Sequence, residues 1–224
     1  GTQRHTTNSN GKQIHSTEEG VRNFWRWFGD SKVVDAEGRP LVVYHGTGTD
    51  ITIFDKKKAT DTEGRKFGVG TGKGVFSFTN DIENAKGWAE RSKERSQYGV
   101  KSNNPNVIEV YLKMNNPISR DEFTQMLIDK AEGYTFTPQK TRDKFISEIY
   151  SDLKKRKVDG IIADFGEYTA FSPTQIKSAT GNDGSFGADN ADIRFSIKAP
   201  KFESGASLKE MVTTSNMFIA ARAD

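Results

Sequence analysis

The chain has 224 residues, 33% apolar and 28% charged, with net charge +3 and a pI near 8.9. That length suits one domain with tails, and 15 phenylalanines supply core bulk where aliphatic residues are few. The absence of cysteine excludes disulfide frameworks, thiolate nucleophiles and Cys-ligated zinc. No stretch approaches the ~20 apolar residues that cross a bilayer, and the mild basic excess selects no class of partner.

In chain order, residues 1–16 are polar and are expected to be a disordered linker. Val21, Phe24, Trp25 and Phe28 recur at helical spacing behind Thr17-Glu18-Glu19, which predicts a capped helix over Thr17–Phe28. Lys32–Val34 and Leu41–His45 read as strands joined by the turn Asp35–Pro40. Residues 55–74, rich in Lys, Gly, Thr and Asp, read as a long loop. A strand over Val75–Thr79 leads to a helix over Ile82–Tyr98. Val107–Met114 alternates as a strand, and Asn115-Asn116-Pro117 stops it. Helices follow at Arg120–Ala131 and Thr141–Arg156. Strands are expected at Gly160–Phe165, Thr169–Phe171, Gln175–Ala179 and Asp192–Ile197. The tail 198–224 is expected to stand outside the domain. Short strands with helices inserted between them define an α+β class.

Familiar nucleotide motifs are absent. Gly68–Gly74 resembles a phosphate loop, but Gly follows Lys73 and a strand follows the glycines. His5, His15 and His45 have no metal-ligand spacing, so no metal is expected. Three single residues stand out. His45 ends an apolar strand before Gly46, where a missing side chain admits a ligand; a turn histidine is the commoner origin of that pattern. Glu167 lies between two strands, where a carboxylate can oppose a sugar cation, although most loop glutamates are merely solvated. Trp88 shares a helical face with Ala85 and Ala89, a pattern of core packing or of a platform for a heterocycle.

The order of these segments is more specific than any one of them. Tyr44-His45-Gly46-Thr47, Gly72–Asn80, Ala85–Ala89 and Glu167–Ile176 together resemble the ADP-ribosyltransferase superfamily. The likeness is to its His-Tyr-Glu branch, which holds diphtheria toxin and the poly(ADP-ribose) polymerases. Phe28–Asp35, Gln175–Ala179 and Asn190–Ser196 are similar to the domain of this type in phage and mobile-element polyvalent proteins. The resemblance implies split mixed or antiparallel sheets with flanking helices around an NAD cleft, within a catalytic domain at 17–197.

It also implies roles. His45 matches the histidine that bonds a ribose hydroxyl of NAD, and Gly46 the residue whose backbone holds the carboxamide. Thr47, Phe76, Ser77, Phe78 and Trp88 fall among the cofactor contacts, with Trp88 where a Tyr stacks on nicotinamide. Glu167 matches the catalytic carboxylate. The middle Tyr of the triad is replaced: Ser77 stands there in one alignment, preferred here, and Phe76 in the other. Ala85 replaces a Ser that bonds the carboxamide. Phe165 stands where arginine-modifying toxins carry Gln or Glu, which argues against arginine transfer. The implied activity is mono-ADP-ribosyl transfer from NAD to a macromolecular acceptor, protein or nucleic acid, by a monomeric phage or bacterial effector or toxin acting in a cytoplasm. An NAD glycohydrolase and a non-catalytic ADP-ribose-binding module are the alternatives. The basic clusters Lys56–Lys58, Arg91/Lys93/Arg95 and Lys154–Lys157 would favour a phosphate-bearing acceptor if they flank the cleft.

Overall fold

The computed structural model describes residues 4–56, 74–94, 104–131 and 139–194. The tail 198–224, the loop 57–73 and the predicted ends at Tyr98 and Ile197 lie outside them.

Helix α1 (Glu18–Phe28) forms where the periodicity predicts it. The Thr17 hydroxyl accepts the Gly20 N–H, Glu18 and Glu19 face the positive end, and Gly29 at φ 60° closes the last turn. Phe24, Trp27 and Phe28 are buried along one face. Phe24 meets Phe28, Tyr111 and Phe186 at ring-centre distances of 4.9, 4.9 and 5.2 Å. Full burial of each such ring contributes about 1.5–3 kcal/mol, which offsets the modest aliphatic count.

Seven strands form one mixed sheet: β1 (Val43–Thr47), β2 (Phe76–Thr79), β3 (Asn106–Leu112), β4 (Pro117–Ser119), β5 (Gly160–Ala163), β6 (Glu167–Ala170) and β7 (Ile176–Ser178). Their order is β4-β5-β6-β2-β1-β3-β7. Only β4 with β5 pairs in parallel among the registered strands. The turn that ends β3 does stop it, but Pro117 then opens β4 at the sheet's edge, where a missing N–H costs no ladder bond. The predicted strand at residues 192–197 is seen as an isolated Ile53–Asp192 bridge, and 195–197 lie outside the described residues.

Three apolar clusters hold the sheet. Val43, Phe76, Phe78, Val110, Leu112, Tyr168 and Ala170 line one face. On the other, α1 and Ala85 of α2 (Ile82–Glu94) cover Tyr44 and Tyr111. Beyond them α3 (Arg120–Ala131) and α4 (Gln139–Lys155) cover Ile118 and Ile161.

The segment 4–16, expected to be disordered, is packed. Its Thr7–Gln13 bridge closes a turn, Ile14 enters the core, and buried Asn8 donates to the Tyr111 hydroxyl at 2.8 Å. The Asn8 side-chain oxygen accepts the N–H groups of Asn10 and Lys12. Burial pushes the Tyr111 hydroxyl up to about 12, so it stays protonated across the working range. Composition misled because a few specific hydrogen bonds, not apolar content, tie this segment down. Asn8→Ala should cost about 1–3 kcal/mol by orphaning buried groups. An unchanged melting temperature would show that the leader is not part of the cooperative unit.

Candidate active site

The site follows from a weakness in the sheet. β1 runs in register with β3 from Val43↔Val110 to Thr47↔Asn106, but it meets β2 only at Tyr44↔Thr79. The ladder therefore opens into a seam beyond that pair, and the expected split sheets are two halves joined at this point. Asn80 donates its backbone N–H to Gly166 on the β6 side. By strand alternation Ser77 and Thr79 then aim their backbone groups at β1, and Tyr44 and Gly46 aim theirs at β2. Gly46 so presents one N–H and one C=O to the seam, where the register supplies no partner.

His45 bridges the seam. Its Nδ1 lies 2.8 Å from the Ser77 carbonyl oxygen, and a carbonyl only accepts, so Nδ1 carries the proton. Nε2 is left as an acceptor. The ring packs against Phe54 and Phe78 at 5.0 and 5.5 Å between centres. Burial lowers the imidazole's pKa below the ordinary 6.5, and the bond to Ser77 works in the opposite direction. Because the folded value lies below the unfolded one, the unfolded chain binds more protons between them. The stabilising contribution of neutral His45 is thus complete above about pH 6.5 and is lost as pH falls. The wild type should lose more stability than His45→Gln on going from about pH 7.5 to about pH 5. Parallel pH profiles for the two proteins would contradict the assignment.

Glu167 opens β6, opposite Thr79 on one side and Ala163 on the other. It is half-buried, and its carboxylate makes no hydrogen bond or ion pair with another described residue. Ser77 is exposed and shares the Glu167 face of the sheet. Trp88 is half-buried on α2, with no ring contact or hydrogen bond to another described residue.

Not all the predicted contacts gather here. Counted along the ladder, His45 falls on the face of Val43 and Phe78, and Glu167 on that of Ser77 and Thr79. Ser77 links them: its carbonyl holds His45 and its side chain stands on the Glu167 side. Phe76 and Phe78 are 5% and 0% exposed, stacked into the core, so neither offers a ring face to a ligand. Of the two candidates for the place of the missing Tyr, Ser77 faces outward and Phe76 points into the core. Thr47 is also buried, and its hydroxyl is spent on the Thr49 carbonyl.

Gly46 serves a purpose the sequence did not show. A β-carbon there would stand 2.0 Å from the Ala85 carbonyl oxygen, so α2 packs directly on this residue. The small Ala85 and Ala89 make that approach possible. Lys177, within one of the strings that carry the resemblance, is fully buried and structural. Its ammonium donates to the carbonyls of Asn190 and Asp192, and burial lowers its pKa to about 8.

One basic cluster stands away from the site. Lys154–Lys157 precede β5, at the opposite end of the β5–β6 pair from Glu167. Lys57, Lys58 and Arg95 lie outside the described residues. A cavity of about 360 Å³ lined by Trp27, Lys113, Asp159 and Phe171 also lies at the far end of β6. No cluster of potential metal ligands occurs among the described residues, and none of their helices is long and apolar enough to cross a membrane.

Fold and seam define an α+β domain whose mixed sheet opens between β1 and β2, with His45 on one face of the opening and Ser77 and Glu167 on the other. A family model described as ADP-ribosyltransferase in polyvalent proteins matches residues 35–186, and the chain belongs to that family. The family uses NAD as its substrate. No curated protein and no solved structure matches the chain.

Proposed function

We propose that this protein cleaves NAD at its nicotinamide–ribose bond and transfers a single ADP-ribose to a macromolecular acceptor. The observation that carries the reading is Glu167, a half-buried carboxylate without a described partner beside the seam. As the bond lengthens, nicotinamide leaves with the electron pair and positive charge grows on the ribose. Glu167 bonds a ribose hydroxyl and opposes that charge. The acceptor attacks the same carbon and gives up its proton to the Glu167 carboxylate, which acts as the base.

The other groups position NAD. A primary carboxamide is both donor and acceptor, and Gly46 offers the matching C=O and N–H at the seam. His45 accepts from a ribose hydroxyl through Nε2, and Trp88 stacks on the nicotinamide ring. The Ser77 hydroxyl occupies the place of the family Tyr. We assign the catalytic domain to 17–197; the burial of α1 and of Ile14 against the same sheet as the matched segment supports counting α1 in it with the leader packed alongside.

Phe165, two residues before Glu167, is 66% exposed and has neither carbonyl nor carboxylate in its side chain to hold a guanidinium. That supports an acceptor other than arginine. An effector or toxin role inside a cell is the setting this activity fits. The test is labelled NAD incubated with total lysate. Label on protein or on nucleic acid identifies the acceptor. Release of nicotinamide with no label transferred would replace transfer by hydrolysis, and neither outcome would leave only a binding module.

A further inference from the structure

We infer that Asn80 is a positioning residue that sets the carboxylate of Glu167 through Gly166. The inference rests on the proposed NAD cleavage at Glu167. Glu167 follows a tight hairpin, Asp164-Phe165-Gly166, closed by a hydrogen bond from the Gly166 N–H to the Ala163 carbonyl at 3.0 Å. Gly166 has φ +81°, a conformation that side chains disfavour. Its backbone carbonyl accepts the Asn80 N–H at 2.9 Å. The Asn80 carboxamide occupies the space of the absent side chain: a β-carbon on Gly166 would lie 2.1, 2.5 and 2.6 Å from its Oδ1, Cγ and Nδ2.

Asn80 is itself fixed from both sides. Thr79 before it is buried and paired with Glu167, and its hydroxyl accepts the Asp81 N–H. Asp81 after it caps α2 by accepting the N–H groups of Glu83 and Asn84. One short corner therefore ties the start of the helix that bears Trp88 to the hairpin that delivers Glu167. A base displaced by a fraction of an ångström loses rate without losing ground-state binding.

Nicotinamide release is measured first on the unaltered chain, then on Asn80→Ala, Gly166→Ala and the double variant. Asn80 is exposed, so Asn80→Ala should keep the fold. It should lower kcat about tenfold with little change in KM for NAD. The double variant should be no slower than Gly166→Ala, because the added methyl already displaces the carboxamide. Amide hydrogen exchange at Gly166 and Glu167 is read alongside and should accelerate in Asn80→Ala. No release by the unaltered chain would refute NAD cleavage itself. Unchanged exchange overturns the inference whether or not the chain is active. Unchanged kcat in Asn80→Ala, or losses that multiply in the double variant, overturn it in an active chain.

Discussion

Glu167→Gln is expected to lower NAD cleavage by about two to three orders of magnitude while the protein stays folded. Gln keeps the size of the side chain and removes the charge that opposes the ribose cation. The loss should fall on kcat, since a charge that matters only as the bond breaks contributes little to ground-state binding. Stability should hold or rise slightly, because the carboxylate has no described partner to lose and a half-buried charge is removed. Nicotinamide release and a melting curve on the same preparation check both halves. Wild-type turnover in the variant would remove Glu167 from the chemistry, and with it the proposed mechanism.

The second large effect is steric. Gly46→Ala places a β-carbon 2.0 Å from the Ala85 oxygen, 3.0 Å from the Ala85 carbonyl carbon and 2.8 Å from the Ala89 nitrogen. All three are backbone atoms of α2, so no rotamer relieves the clash and the helix itself must move. Overpacking of this kind costs about 1–3 kcal/mol or more. The backbone of Gly46 does not lie in the left-handed region, so the loss would report contact alone. Moving α2 would also shift Trp88 and the corner at Asn80, so NAD use should fall together with the denaturant midpoint. A Gly46→Ala variant with parental stability would mean that the glycine serves only ligand access.

Those two residues show how differently the site could be read in advance. Glu167 stood out because its neighbours form an ordered set with His45, Ser77 and Trp88; His45, Ser77 and Trp88 lie on the elements expected of them, whereas Glu167 opens β6 instead of lying between two strands. Gly46 was legible as special, but for one reason out of two. A glycine after a strand suggests room for a ligand; that the room is taken by Ala85 and Ala89 depends on where α2 crosses, about 40 residues on. Phe76 and Ser77 could not be separated by alignment. Strand alternation shows only that they face opposite sides, Ser77 outward and Phe76 into the core.

By itself, the sequence determined the elements with strong local periodicity and clear stops: α1 behind Thr17, β3 before Asn115, α3 over Arg120–Ala131, and β5 and β6 around the hairpin. It determined the family through segments whose order survives without any single decisive motif. These properties are local, or depend on order alone, so one dimension suffices. Only the tertiary structure decided that the segment 4–16 packs through Ile14 and Asn8, that Pro117 begins a strand, and that β1 and β2 part after one pair. It also decided that His45 spans that opening to Ser77. Each of these rests on partners far apart in the chain, such as Asn8 with Tyr111 or Asn80 with Gly166. Such pairings become visible only when packing brings the two ends together.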